Sequence, residues 1–516
     1  MSNFIERSNS FKPLFIMKSL IYLLILFNIS NLIAQPNIIL IAADDMGWSD
    51  LGCYGSEIAT PNLDWLASKG MRFRQMHNTA KCFPSRASLI TGQYAQAIGF
   101  DKTHTNPLQS AVTLGEVLQT AGYKTYWSGK HHGIDNPYDR GFDHYYGLRD
   151  GACNHFNPGK RRSEEAQPAQ KRPDRTWCID SACLQGFTPI KKDFYTTDYF
   201  THYAIDYIQE AQEMARPFFL YLAYTAPHDP LMAWPEDIAK YKGRYDKGYE
   251  VVRQKRFAKQ KEIGLLDKRY QLSTATFTPW EELDEEKKRK EAQKMEVYAA
   301  MIDRLDQNIG RILDQLRQLK IMDNTMIIFV SDNGASAEVV RLDHDDDQAP
   351  IGSLASWVSL GPDWANVSNT PFRYYKNYSY EGGINTPMIV YWPKEVPQNS
   401  FTDFNSHFID IMPTLSELAT ASYPSLYQGE QINPMAGRSL VKVIKGKSTK
   451  RKTPLFWEWK NGQAVRLGDW KLVKHGKENW QLYKLSKDPS ETLNLSAQKP
   501  KKVRELEALF LEWKEK

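Results

Sequence analysis

The sequence predicts an α/β protein in which a large, mostly parallel mixed sheet is sandwiched by helices, with a smaller C-terminal antiparallel sheet plus helix. Three observations predict it. Continuous apolar runs rich in β-branched residues recur far apart in the chain, as strands buried on both faces require, and each ends in polar, ligand-type residues. Amphipathic helical patterns lie between these runs. After about Ile411 the texture changes to short segments separated by turn residues. The chain has 516 residues, and at about 150 residues per domain this is roughly three to four nominal units, or one large α/β domain and a smaller one. The expected organisation is a signal segment over 1–34, a large α/β domain over 35–425 and a C-terminal subdomain over 426–516.

At the N-terminus, Arg7, Lys12 and Lys18 precede the apolar stretch Leu20 to Phe27, which continues to Ala34. This is the pattern of a secretory signal peptide. The alternative is an uncleaved anchor, but the apolar core is shorter than the roughly 20 residues of a spanning helix, and Asn28 and Asn31 interrupt its continuation. The expectation is a periplasmic or secreted protein with no stable membrane insertion after cleavage. Met17-Lys18 would make a better signal start than Met1. The five cysteines are too few for a disulfide scaffold and odd in number, so at least one has another use, while a disulfide such as Cys178 with Cys183 could persist outside the cytoplasm.

The first buried-strand run is Asn37 to Ala42, closing on Asp44-Asp45. The next is Pro217 to Ala223, followed by Thr225-Ala-Pro-His228, and the third is Thr325 to Val330, followed by Ser331-Asp332-Asn333-Gly334. In an open parallel sheet, sites form beyond the carboxyl ends of the strands, so these endings are expected to converge. Met301, Leu305, Ile309, Ile312, Leu313 and Leu316 recur at helical spacing and predict a stripe packed on the sheet. Upstream, Thr278-Pro279-Trp280-Glu281 has the form of a capping box with proline at the first helical position. The charged run Glu281 to Lys294 reads as a solvated helix face, and the polar, basic stretch 159–175 as a surface insertion. Near the C-terminus, Pro454 to Trp459, Gln463 to Arg466, Trp470 to Val473 and Trp480 to Tyr483 predict the small sheet, and Val503 to Trp513 the closing helix.

Composition excludes several classes. Hydrophobic residues at 41% and charged residues at 25% are those of an ordinary globular protein, neither disordered, collagen-like nor multi-span. A net charge of +5 without a long basic run leaves no nucleic-acid footprint. Asp44, Asp45, Asp332 and Asn333 are hard oxygen donors suited to Ca²⁺ or Mg²⁺, and two such pairs, each closing a buried strand, point to a metal site.

The segment Cys82-Phe83-Pro84-Ser85-Arg86, continuing Ala87-Ser-Leu-Ile-Thr91-Gly92, resembles the maturation signature of the formylglycine-dependent sulfatases, in the arylsulfatase-like branch of the alkaline phosphatase-like superfamily. Gly129-Lys130-His131-His132-Gly133, Pro227-His228-Asp229-Pro230 and Asn369 to Lys376 resemble further landmarks of that family, as do Arg140-Gly-Phe-Asp143, Glu381 to Pro387, His407 to Asp410 and Gly468 to Leu472. The Gly129 to Gly133 match is looser, since His131 stands where an aromatic is usual.

The resemblance implies a sulfuric ester hydrolase in which Cys82 is oxidised by a formylglycine-generating maturation enzyme to an aldehyde whose hydrate is the nucleophile. It implies that Cys82 also joins Asp44, Asp45, Asp332 and Asn333 at the cation. Arg86 would orient the hydrate, Lys130 would sit near the sulfate, His132 would take a proton beside the nucleophile, and His228 and Lys376 would bind sulfate and assist leaving-group departure. Such a reaction needs a positioned nucleophile, cations on the non-bridging oxygens and an acid for the leaving alcohol. The expected substrate is a sulfated carbohydrate, such as fragments of the algal polysaccharides ulvan or carrageenan, for which the aromatic fraction of 12% offers stacking surfaces. The alternatives are an arylsulfatase scavenging small sulfate esters, a phosphoester or phosphonate monoester hydrolase using the same aldehyde, and an inactive sulfated-glycan-binding protein.

Overall fold

Asn37–Ala43 forms strand β1, and every one of its residues is buried, as its unbroken apolar pattern requires. The computed structural model that shows this describes residues 35–172, 174–342, 348–447 and 449–515; the predicted signal segment lies outside them. Ten further strands join β1 in one sheet: β2 (Met71–His77), β3 (Lys124–Gly129), β4 (His144–Leu148), β5 (Thr176–Ile179), β6 (Ala182–Gln185), β7 (Phe218–Ala223), β8 (Thr325–Ser331), β9 (Asn385–Tyr391), β10 (Ser400–Thr402) and β11 (Ser406–His407). The order is β10-β2-β9-β8-β1-β7-β3-β4-β5-β6, with β11 also pairing with β2. The centre, β8-β1-β7-β3-β4, is parallel throughout, while β9 runs antiparallel to both its neighbours and the β5–β6 hairpin is antiparallel at the far edge. The sheet is thus large, mixed and mainly parallel, as predicted.

Alternate residues of β1 face opposite layers. Ile39 and Ile41 pack in one core with Met301, Leu305, Ile309, Ile312, Leu313 and Leu316, the stripe read from the sequence, all fully buried. Ile38, Leu40 and Ala42 face a second core built with Leu89, Ile90, Val117, Met412 and Leu415. The helix carrying the stripe, Glu285–Gln318, starts later than the capping-box reading placed it. Its N-cap is Asp284, whose carboxylate accepts from the Lys287 N–H at 2.8 Å. Trp280–Glu282 forms only a short 3₁₀ turn with no side-chain cap, and the Thr278 N–H donates to Asp363 instead. A carboxylate beside an acidic first turn competed with threonine for the same job, and local pattern alone did not separate them.

Cys178 and Cys183 face each other across the β5–β6 hairpin and form a disulfide, leaving Cys53, Cys82 and Cys153 as buried free thiols. Among the described residues, no helix is long and apolar enough to cross a membrane.

A small hairpin, β12 (Leu426–Tyr427) and β13 (Glu430–Gln431), precedes the C-terminal meander of β14 (Leu455–Trp459), β15 (Gly462–Leu467), β16 (Trp470–His475) and β17 (Gln481–Lys484). One face of the meander packs on the closing helix Pro500–Glu515 through Val465, Leu472, Leu482, Leu506 and Phe510. The other packs Leu455, Trp457, Val473 and Tyr483 against Ala80, Tyr380, Ile384 and Ile409. A buried ionic network pins this contact: Lys471 Nζ lies 2.8 Å from Glu381 and 2.7 Å from Glu491, and Glu381 also meets His77 Nε2 at 3.1 Å. Buried charges of this kind are stable only when paired. Lys471→Met is expected to leave two facing carboxylates without their cation and to cost about 3–5 kcal/mol of stability, read as a lowered melting temperature; an unchanged melting point would show that the network does not hold the C-terminal sheet.

Candidate active site

The parallel centre of the sheet brings four strand endings to one edge. β1 ends at Asp44-Asp45, β8 at Asp332-Asn333, β3 at Lys130-His131-His132, and β7 leads into Thr225 to His228. The register continues into the site, since the Asp332 N–H donates to Ala43 O at 3.1 Å, the Lys130 N–H to Ala223 O at 2.7 Å and the Asp44 N–H to Ala226 O at 3.0 Å. The convergence predicted from sequence occurs, and β3 adds a fourth ending to the three foreseen. Gly129 is required where it stands: its φ is +120°, and a Cβ there would lie 1.9 Å from Ala223 O.

Cys82 begins the helix Cys82–Thr91, which is buried along its whole length and closed by Gly92 in the left-handed region. Phe83 and Ala87 fill one apolar cluster and Leu89 and Ile90 another, so the motif is locked by packing. Arg86, one turn along, points into the strand endings, with Nε 2.7 Å from Asp332 and Nη2 3.7 Å from Asp44. Lys130 Nζ lies 2.5 Å from Asp44, and Lys376 Nζ lies 2.7 Å from Asp45 and 3.0 Å from Glu338. His228 faces carboxylates through both ring nitrogens: Nδ1 is 2.9 Å from Asp229 and Nε2 is 3.4 Å from Asp45. Asn333 Nδ2 donates to Asp45 at 2.6 Å. All the predicted site residues therefore belong to one buried assembly, with Cys82, His132 and His228 lining a cavity of about 440 Å³ that leads out from it.

Its electrostatics follow from that crowding. Burial pushes the Asp44 carboxyl up, but Lys130, His228, Arg86 and Lys376 together outweigh it and hold it below the usual carboxylate range. Asp332 is pushed up to about 6 by burial, with the Asp44 charge acting the same way. Burial alone would lower His228, yet Asp45, Asp44 and Asp229 raise it to about 10. Burial, reinforced by Lys130, His104 and Arg86, holds His132 well below its usual range. Asp45 and His132 both adopt positive φ, 63° and 67°, a cost of order 1–3 kcal/mol that only a surrounding structure can impose. Tyr298 Oη donating to Asp45 O, and Arg149 O accepting from the His132 N–H, are parts of that structure.

The donor set fits a hard divalent cation. Asp44 Oδ1 and Asn333 Oδ1 are buried oxygens with no hydrogen-bond partner, on residues whose other atoms bond within the cluster. Asp44, Asp45 and His228 offer ligand-type atoms all within 4.8 Å of one another, so His228 stands beside two of the predicted ligands. A histidine pinned between carboxylates at both nitrogens has the arrangement of an imidazolium, which offers no lone pair to a metal.

Several residues at the site were not foreseen. Glu338 receives both Lys81 at 2.6 Å and Lys376, and Asp229 is held by the Ser359 hydroxyl at 2.5 Å. His104 lies tilted against Phe83 and edge-on to His132, and Lys171, Arg172, Arg175 and Trp357 line the cavity. Asp229 adjoins the predicted His228 and was within reach of sequence reasoning; the others come from segments with no local signal. Stretch 159–175 is exposed over much of its length, as a surface insertion should be, but its end folds back to the cavity.

Comparison with known proteins places the chain in a family. Residues 36–421 match the Sulfatase family model, and residues 372–512 match the model of the N-sulphoglucosamine sulphohydrolase C-terminal region. An uncharacterized sulfatase of Schizosaccharomyces pombe is 34% identical, covering 92% of each chain, and an arylsulfatase of Klebsiella aerogenes is 32% identical over 82% of this chain and 94% of its own. Among solved structures, Ps i-CgsB in complex with k-i-k-neocarrahexaose superposes with a TM-score of 0.67 at 26% identity, covering 93% of each chain. A phosphonate monoester hydrolase of Agrobacterium radiobacter shares the fold, with a TM-score of 0.57 at 19% identity over 93% of this chain and 94% of its own. With the family model matched across most of its length, and with these relatives, the chain belongs to the sulfatase family and is a sulfuric ester hydrolase.

Proposed function

We propose that this sulfatase is exported and removes sulfate from a carbohydrate through a formylglycine made from Cys82, with Ca²⁺, or Mg²⁺ in its place, held by Asp44, Asp45, Asp332 and Asn333. The observation that carries the reading is the position of residue 82, at the first turn of a fully buried helix, opening onto a cavity shared with His132 and His228 and backed by Lys130, Lys376 and Arg86. Two features support the remainder. The Cys178–Cys183 disulfide suits an oxidising compartment. Ps i-CgsB was solved in complex with k-i-k-neocarrahexaose, and Phe83 and Trp357 give this cavity aromatic surface of the kind sugars stack on.

When present, the hydrated aldehyde supplies a nucleophilic hydroxyl and the cation offsets charge on the sulfate. The side chains do the rest. Lys130 and Lys376 place two ammonium groups against the strand endings, where non-bridging oxygens gain charge stabilisation from cations already fixed in place. Arg86, fixed by Asp332, holds its guanidinium beside residue 82. His228, oriented by Asp229 on one ring nitrogen and Asp45 near the other, is the proton donor for the leaving alcohol. His132, held neutral by burial and by the neighbouring cations, is the acceptor for a hydroxyl proton at residue 82. Gly151 makes room for it, because a Cβ there would lie 2.5 Å from His132 Nε2.

The central test is sulfate release by matured protein from a sulfated oligosaccharide, a simple aryl sulfate and an aryl phosphate. Cys82→Ala is expected to lower turnover on the order of 10⁴-fold or more, with mass spectrometry of the wild-type tryptic peptide showing the thiol replaced by a carbonyl; full turnover by the variant would overturn the mechanism, and faster phosphate than sulfate release would overturn the assigned ester. Chelation is expected to abolish activity and added Ca²⁺ to restore it best, whereas indifference to a strong chelator would remove the metal from the proposal. His228→Asn is expected to reduce kcat by about 10²–10⁴-fold, with a smaller loss on an aryl ester whose alcohol leaves without help; equal losses on both esters would argue against a proton-donor role.

A further inference from the structure

The cations deep in the site are matched by carboxylates, whereas those at its mouth are not. Lys130 lies on Asp44, Lys376 on Asp45 and Glu338, Arg86 on Asp332, and Lys81 on Glu338. At the mouth stand Lys171, Arg172 and Arg175, all lining the cavity that Cys82 opens onto. Arg172 Nη2 is 3.0 Å from Asp150 Oδ1, and Arg175 Nη1 is 3.9 Å from that same oxygen. The other Asp150 oxygen is taken by the Thr176 N–H at 2.5 Å. Lys171 has no carboxylate partner among the described residues. Arg172 and Arg175 thus share the Asp150 carboxylate while Lys171 has none, and burial holds the Arg175 guanidinium below its usual range, with Asp150 and the neighbouring Asp174 opposing and Arg172 pressing the same way.

This rim is held in place. Asn154 Nδ2 donates to Ala169 O at 2.9 Å, and Ala169 is buried among Phe156, Tyr195 and Trp357. The Arg149 N–H donates to Thr176 O at 3.0 Å on the far side. The residues that carry the three charges lie between these two anchors. Uncompensated positive charge at the entrance of a site that accepts one anionic group attracts a ligand carrying another.

We propose that Lys171, Arg172 and Arg175 form a subsite for a second anionic group on the substrate, so that the natural ester is a glycan bearing a further sulfate or carboxylate close to the sulfate that is cleaved. The inference rests on the carbohydrate reading above and adds its charge. Arg172, whose side chain is 54% exposed, can swing to the ligand, while Arg175, at 11%, is the fixed member.

The test compares kcat/KM of the matured full-length enzyme for pairs of disaccharides sharing one cleavable sulfate, one pair differing by a second sulfate and the other by a uronate carboxylate, with a simple aryl sulfate alongside. The dianionic member is expected to be preferred by about 10–100-fold, mainly through KM, with the preference shrinking as salt is added. Lys171→Gln with Arg172→Gln, both at exposed positions, is expected to cut the preference about tenfold, a difference of about 1.4 kcal/mol, and Arg172→Lys to retain most of it. Preference in the sulfate pair, the carboxylate pair or both supports the subsite and identifies its anion. Equal kcat/KM within both pairs, or a preference the double variant leaves intact, overturns the subsite alone. Release from the aryl sulfate but from no disaccharide overturns the carbohydrate reading and the subsite with it.

Discussion

The structure depends on one electrostatic constraint: the carboxylates and cations at the ends of β8, β1, β7 and β3 are buried and must neutralise one another. Taken singly, an ionised group in such surroundings would cost several kcal/mol or surrender its charge. Here Asp44 answers Lys130 and Arg86, Asp332 answers Arg86, and Asp45 answers Lys376 and His228. Each pair joins segments far apart in sequence, so no strand can slip in register without stranding a charge. The parallel arrangement makes this possible, because it sends all four carboxyl ends to the same edge.

The constraint reaches the C-terminal sheet. Trp457 Nε1 donates to Asn78 O at 2.8 Å, four residues before Cys82, and Trp459 Nε1 donates to Asn377 Oδ1 at 2.8 Å, next to Lys376. Asn377 itself has positive φ, 75°, and its N–H donates to Ala80 O at 2.8 Å. The meander therefore braces both the segment that leads into the Cys82 helix and the one that carries Lys376. Glu381, five residues beyond Lys376, is tied to Lys471 in the same contact. A sheet that contributes no residue to the reacting centre still sets where two of its members stand.

What could be read in the sequence was what short range determines. The apolar runs of β1, β7 and β8 and their polar endings announced both the sheet and the place of the site, since a strand buried on two faces has one composition wherever it occurs. The helical stripe from Met301 to Leu316 was legible for the same reason, and the Cys82 segment through its resemblance to a known signature. The start of the long helix was misplaced because Thr278 and Asp284 both satisfy the local rule for a cap, and only packing chooses between them. Glu338 and His104 had no signal, because nothing near them in the chain marks a residue that will meet Lys376 or His132. The basic stretch 159–175 looked like solvated surface, and its composition is that of surface; its return to the cavity is decided by Ala169 and Asn154, one small apolar residue and one amide whose partners lie elsewhere.

Two histidines show why residue type alone does not assign chemistry. His132 and His228 line the same cavity and have the same intrinsic basicity, yet they are driven apart in opposite directions. His228 has Asp229 on one nitrogen and Asp45 on the other, and those charges outweigh its burial. His132 lies against Phe83 and His104, with Lys130 two residues back, so burial and neighbouring cations both disfavour its proton. A reaction that must take a proton from one oxygen and give one to another needs such a pair. The separation arises from which strand ending each histidine occupies: one follows β3, where the lysine is, and the other follows β7, where it faces the acids that close β1. The buried charge balance that holds the sheet ends together is thereby also what sets the two histidines apart.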